Sequence, residues 1–265
     1  MRKTFADVLR SGGVDVRTEY ESLYELVFEQ YGLYSIMEQN FRKVPFAGTA
    51  ISLKDFNSRE NANYIYYVGS PNLDFLLGFC EYCYNFAVAL EPRVSLKNSV
   101  HCKEVIKHIN KLVDKLSYTL VDDGGVWILV AKDSNIMAAA EVAPEQIGFD
   151  LIKYDYRGYN GDLEGKKSIL LCLIDYLEPK RRQLETLARG LTNDLFFIAN
   201  NLNIRHNNTD PQDSGKYKTA VARMDNKEIE QWYDFCHELC AAAILLLGYD
   251  ARHNEVEMLK ERIAG

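Results

Sequence analysis

No unbroken apolar run in this chain reaches the ~20 residues needed to cross a bilayer. The opening Met1-Arg2-Lys3-Thr4-Phe5-Ala6-Asp7 has no apolar signal core behind its basic pair. A membrane span and an export signal are therefore not expected, and a cytoplasmic protein is the simplest reading. A surplus of positive charge is missing as well. Lys and Arg number 31 against 38 Asp and Glu, a net charge of −7, so no global field would hold duplex nucleic acid. Any such contact must come from a local patch. The candidate is Lys180-Arg181-Arg182 with Arg189 and Arg205, but Glu178, Glu185, Asp194 and Asp210 leave that stretch about neutral. Internal repeats, low-complexity tracts and a phosphate-cradling glycine loop are also absent. Gly158-x-x-Gly161, ahead of Asp162, Glu164 and Lys166-Lys167, falls far short of such a loop and reads as the start of a helix.

What is present is ordinary for a globular protein: 265 residues, 47% hydrophobic and 26% charged, enough to bury a substantial core. Cys80-Glu81-Tyr82-Cys83 has metal-ligand spacing, and Cys236-His237 with Cys240 would complete a four-ligand zinc set. Both clusters fall inside apolar helical patterns without the turn residues of a zinc knuckle. They read as reduced core thiols, small hydrophobes in effect. No metal site and no cofactor is expected.

Along the chain, helical spacing of Leu23, Leu26, Val27 and Tyr31 predicts a helix over 18–40. A Pro/Gly break at 43–49 leads to a short extended piece, Thr49 to Leu53, and the tyrosine-rich segment 55–70 reads as loop with room for a strand. Leu73 to Leu90, stopped by Pro92, is apolar almost all round, which implies a buried helix. Cys102 to Leu116 is the next, with His101 and His108 on a solvated face. Then the period changes. Tyr118–Val121, Asp122-Asp123-Gly124-Gly125 and Val126–Val130 form a β-hairpin signal, followed by short helices over 136–142 and 144–152. From Gly161 onward the pattern is all helical. A helix over 163–177 is interrupted at Pro179, a second over 180–188 is broken by Gly190, and a third covers 192–202. Asp225-x-x-Glu228 heads a last helix of about 20 residues through Leu247, in which Trp232, Tyr233 and Phe235 read as core rather than as a base-stacking platform. The expected fold is mainly α. Residues 1–155 form a mixed α/β region containing the hairpin, and 156–265 form a helical bundle, with a single two-lobed unit as the alternative.

The chemistry concentrates in Asn200-Asn201-Leu202-Asn203-Ile204-Arg205-His206-Asn207-Asn208, where an apolar helix runs into a polar loop. Asparagine ends helices and caps them. Arg205 offers a permanently charged fork matched to phosphate, and His206 titrates near neutrality. Cleavage of RNA through its 2′-hydroxyl needs a base, an acid and a cation at the phosphate, and such a pair supplies these without metal. The structural reading is that Arg205 and the asparagines only cap the helix and stitch the loop to the bundle. Asp234 and Glu238, one turn apart, would be placed to orient Arg205 or His206.

A long helical pair, Asn-x-x-Ile-Arg-His-Asn at a helix end, a polar loop and a final helix bearing Trp232-Tyr233-Asp234 resemble the HEPN superfamily. The likeness is strongest to helical proteins of bacterial abortive-infection and toxin-type phage defence, and it covers roughly residues 160–250. It implies a four- or five-helix bundle that forms a homodimer, binds RNA and often cleaves it without metal. Arg205 would be the motif arginine and His206 the polar residue after it. Asn201, Asn203, Asn207 and Asn208 would position ribose or base. The family motif continues to a second histidine, whereas here the next one is His237. Either His206 itself moves the proton, or the site binds nucleotide without cutting. The alternative from a different class is a non-catalytic sensor, antitoxin-like partner or scaffold within a defence system, acting through protein contacts.

Overall fold

The computed structural model describes residues 14–264. It is mainly helical with one two-stranded antiparallel sheet, and the chain divides between Ala131 and Lys132 into two compact units.

The first unit opens with α1 (Val16–Phe28), whose N-terminus is capped by the Asp15 carboxylate accepting from the Arg17 N–H. Tyr20, Leu23 and Val27 are its buried stripe. The helix expected over 18–40 is two: Tyr31 takes a left-handed φ of 69° and α2 (Leu33–Asn40) starts afresh. At Gly32 a Cβ would meet the Val27 carbonyl oxygen at 2.5 Å, so glycine is required there. The extended piece and loop expected after Thr49 are also corrected, to α3 (Leu53–Arg59). Ser52 Oγ accepts from the Asp55 N–H while Asp55 accepts from the Ile51 N–H. The pair is a variant of the capping box, the return bond reaching the N–H just before the cap residue, and the segment's polar composition obscured it.

α4 (Leu73–Leu90) is the central helix, capped by Asn72 and buried along most of its length. By length and mean hydropathy, 1.3, Leu73–Arg93 does qualify as a span, unlike the reading by unbroken runs, but 72% of it is buried in the unit. α5 (Leu96–Lys115) starts six residues before the expected Cys102, because its exposed first turn carries no apolar periodicity. His101 and His108 are half-buried rather than on a fully solvated face. His101 Nε2 lies 3.2 Å from the Leu26 carbonyl, and burial pushes the His108 pKa down. The hairpin is as expected: β1 (Tyr118–Asp123) pairs with β2 (Val126–Ala131) in the register Leu120↔Leu129. Gly124 and Gly125 supply the positive φ values of the turn. Two polar residues one turn apart on α4 pin its edge. Glu81 accepts from the Leu129 N–H, and Asn85 both accepts from the Trp127 N–H and donates to its carbonyl.

The second unit begins with α6 (Ser134–Val142) and α7 (Glu145–Lys153). Both were expected to belong to the first part, with the division near residue 155. They belong here because Leu151 and Tyr154 are part of this unit's core, so the glycine-punctuated stretch 154–161 is an internal loop. α8 (Leu163–Leu177) is capped by Asp162, and Pro179 sits in a single 3-10 turn, Glu178–Lys180. α9 (Arg181–Asn201) is interrupted close to where the sequence places the break: Ala188 leaves helical geometry (φ −153°, ψ 74°), so two helical segments meet at a kink two residues before Gly190. A short α10 (Thr219–Ala222) precedes α11, Asn226–Ala264, whose first turn is capped by Asp225 accepting from the Glu228 N–H. α11 has 39 residues rather than about 20. It packs on α6, α8 and α9 through its first half. None of the cysteines forms a disulfide and, Cys172 apart, they are buried; burial and the neighbouring Cys80 hold the Cys83 thiol above its ordinary range, and contact with Cys236 and burial do the same for Cys240.

Candidate functional site

The end of α9 is built from asparagine. Asn201 Nδ2 donates to the Phe197 carbonyl, capping the last turn. Asn203 follows in the left-handed region at φ 60°, a conformation asparagine tolerates better than most residues. Asn208, fully buried, then closes the loop. Its Oδ1 accepts from the Asn203 N–H (2.8 Å) and its Nδ2 donates to the Lys216 carbonyl (2.9 Å). Its own N–H donates to Asn203 Oδ1 and to the His206 carbonyl, while its carbonyl accepts from the Lys218 N–H. Ile204 is buried between them and anchors the loop in the core. Asn201, Asn203 and Asn208 thus spend their amides on backbone, and the exposed Asn207 accepts from Thr209 Oγ1.

This scaffold leaves Arg205 and His206 adjacent and part-exposed. Arg205 Nη1 donates to Glu178 Oε2 at 2.6 Å, with 28% of the arginine side chain and 37% of the glutamate exposed. The anchor of Arg205 is therefore Glu178, from the 3-10 turn between α8 and α9, and not Asp234 or Glu238. The remainder of the expected basic patch is divided. Lys180 donates to the Tyr176 carbonyl and lies over the Tyr176 ring, and Arg181 pairs with Glu185 and stacks on Phe196. Arg182 and Arg189 are exposed.

Beside the helix end is an apolar groove of about 540 Å³ whose walls include Phe197, Leu202, Val221, Met224, Trp232 and Phe235. Of the aromatic trio read as core, only Tyr233 is; Trp232 and Phe235 are 39% and 41% exposed, and Phe197 is 63% exposed.

A second polar centre was not anticipated. Lys166, 5% exposed, donates to Asp234 Oδ1 at 2.6 Å and pairs with Glu230 at 2.9 Å. The Tyr154 hydroxyl donates to the same Asp234 oxygen at 2.9 Å, and its ring stacks on His237 at 4.1 Å. Burial works against the Lys166 charge, but its hydrogen bonds to Asp234 and Glu230 prevail and raise its pKa. Burial pushes His237 down to about 4. A carbonyl only accepts, so Nε2, 2.9 Å from the Leu151 oxygen, carries the proton of the neutral ring. Burial, then the neighbouring Asp133 and Asp234 carboxylates, push Asp155 up to about 6. Tyr154, Asp155, Asp234 and His237 border a cavity of about 530 Å³ together with Asp133 and Glu238. The available signal was the Asp234/Glu238 pair at helical spacing in α11, with Lys166 the first of the Lys-Lys pair in α8. Nothing in spacing alone links helices 68 residues apart.

Among the described residues no group of three or more His, Cys, Asp or Glu side chains is arranged to hold a metal ion. Comparison with protein-family models, with curated proteins and with solved structures finds no match to this chain.

Proposed function

We propose that the second unit is a HEPN-like module of an abortive-infection type phage-defence protein, cytoplasmic and homodimeric, that binds RNA at Arg205-His206. Metal-independent ribonuclease activity is the stronger form of this reading. The observation that carries it is the arrangement of the α9 end. A loop clamped by reciprocal Asn203–Asn208 bonds holds a guanidinium and an imidazole side by side, both reachable from solvent. Such a loop costs little further ordering when a ligand arrives. Arg205 would grip a phosphate and His206 would take the 2′-hydroxyl proton. With two copies facing one cleft, the second His206 would protonate the leaving oxygen. Nothing in this scheme calls on the asparagines that build the loop, so Asn207 is the amide best placed to reach ribose or base.

The groove lined by Phe197, Trp232 and Phe235 favours a second reading, a non-catalytic module that docks a protein partner. Expression of wild-type, Arg205→Ala and His206→Ala proteins separates the two. A ribonuclease arrests growth and both variants relieve it. Growth arrest by all three alike, or by none together with no RNA bound, removes the first reading.

A further inference from the structure

The last helix outruns its own unit. Residues 251–253 and 255–264 of α11 are exposed, yet the segment is not simply polar. Tyr249, Val256, Leu259 and Ile263 are 63%, 47%, 50% and 77% exposed. Their spacing of seven, three and four is that of a coiled-coil seam, with Ala242 and Leu245 in the same register upstream. A helical stretch of about four turns without tertiary contacts is marginal in water, and apolar residues aligned along it mark a surface that another helix covers. Arg252 holds the seam position between Tyr249 and Val256. Glu255 and Arg262 lie seven residues apart on one flank. On the other flank His253 and Lys260 lie close to Glu257 of their own helix, at 3.8 Å and 2.7 Å.

We propose that residues 249–264 pair antiparallel with the same segment of a second copy of this chain, Val256 of each packing against Leu259 of the other. Charge selects the partner and the direction. In a parallel pair the two Arg252 side chains would meet inside the seam. In the antiparallel pair each Arg252 stem faces Ile263 of the other helix near the open end of the seam. Glu255 then comes beside Arg262 of the second copy, twice about the two-fold axis, so the segment is complementary to itself. Two heptads, roughly 20 Å of helix, bury less than the standard stable interface. The dimer is therefore reversible and concentration-dependent. This inference does not rest on the RNA reading.

Sedimentation of the full chain, from low to several hundred micromolar, tests it. Wild type passes reversibly from monomer to dimer. Val256→Asp and Leu259→Asp each weaken association by about tenfold or more, since each replaces a buried aliphatic contact with a charge. Both residues are exposed in the monomer, so the melting temperature of the dilute protein stays unchanged. Glu255→Arg and Arg262→Glu each weaken the dimer, and the double exchange restores it. A wild type that stays monomeric overturns the proposal, as does a dimer indifferent to Val256→Asp and Leu259→Asp. Rescue by exchanging Glu255 with Lys260 instead of Arg262 would mean a parallel pair and equally overturns it. Arg205→Ala leaves the association unchanged, and a dimer indifferent to Val256→Asp and Leu259→Asp overturns this inference while leaving the RNA reading standing.

Discussion

The guanidinium of Arg205 is held by the carboxylate of Glu178, Nη1 to Oε2 at 2.6 Å, across 27 residues of sequence. The contact ties the loop after α9 to the turn before it. It fixes where the cation points, and it sets a carboxylate in competition with any phosphate that arrives. Both charges are part-exposed, so solvent screens the pair and its share of stability is small, under about 1 kcal/mol.

Glu178→Gln should therefore tighten RNA binding by a fewfold, because the amide holds the guanidinium less strongly and brings no like charge to a phosphate. Filter binding at low salt measures it. Unchanged affinity would mean that Arg205 is not where phosphate binds.

Asn208 makes its bonds in full burial, so Asn208→Ala should cost about 2–3 kcal/mol in chemical denaturation, by stranding the Asn203 N–H and the Lys216 carbonyl. The same variant should lose function at Arg205-His206 out of proportion to its loss of stability, since the loop that presents them is released. Asn207→Ala should leave stability within about 0.5 kcal/mol of wild type.

How much of this was legible follows the physics of each segment. Leu73–Leu90 and Leu163–Leu177 were readable to the residue because buried faces write periodicity into the sequence. The hairpin was readable because Gly124-Gly125 demands positive φ. The second half of α11 was not, since its sparse seam, interrupted at Arg252 and flanked by charge, is too weak a period to extend the helix by itself. The cluster of asparagines was visible, but its role was ambiguous. A side chain that caps a helix and one that contacts a nucleotide need the same donors and acceptors, and only the partners of Asn203 and Asn208 tell them apart. Lys166 read only as one of two adjacent lysines at the start of a helix. Its burial against Asp234 depends on α8 and α11 meeting, which local sequence does not encode.

Replacing that lysine tests the second polar centre. Lys166→Met removes the cation from between Glu230 and Asp234 and should destabilise the unit by about 2–3 kcal/mol, toward the lower side of buried pairs because Asp234 is half-exposed. A change below about 0.5 kcal/mol would mean the pair is dispensable for folding.

Asp155 and His237 give the unit opposing pH responses. With its pKa raised in the folded state to about 6, Asp155 contributes stability below the ordinary carboxylate range, and that contribution is lost as pH rises through 6. His237, lowered to about 4, contributes stability above its ordinary 6.5 that is lost as pH falls through 4. Asp155→Asn should accordingly stabilise the protein by about 1–3 kcal/mol at pH 7.5 and by almost nothing at pH 4. Thermal melts at the two pH values check the sign.

The most direct measurement of the central claim is anisotropy of a labelled single-stranded RNA titrated with wild type, Arg205→Ala and His206→Ala at several salt concentrations. The account predicts that Arg205→Ala binds about tenfold or more weakly and loses roughly 0.7 from the logarithmic salt slope, the signature of one phosphate contact on a single strand. His206→Ala should keep that slope while abolishing any cleavage. Equal affinities and equal slopes for all three proteins would contradict the account and leave Arg205 a structural partner of Glu178 alone.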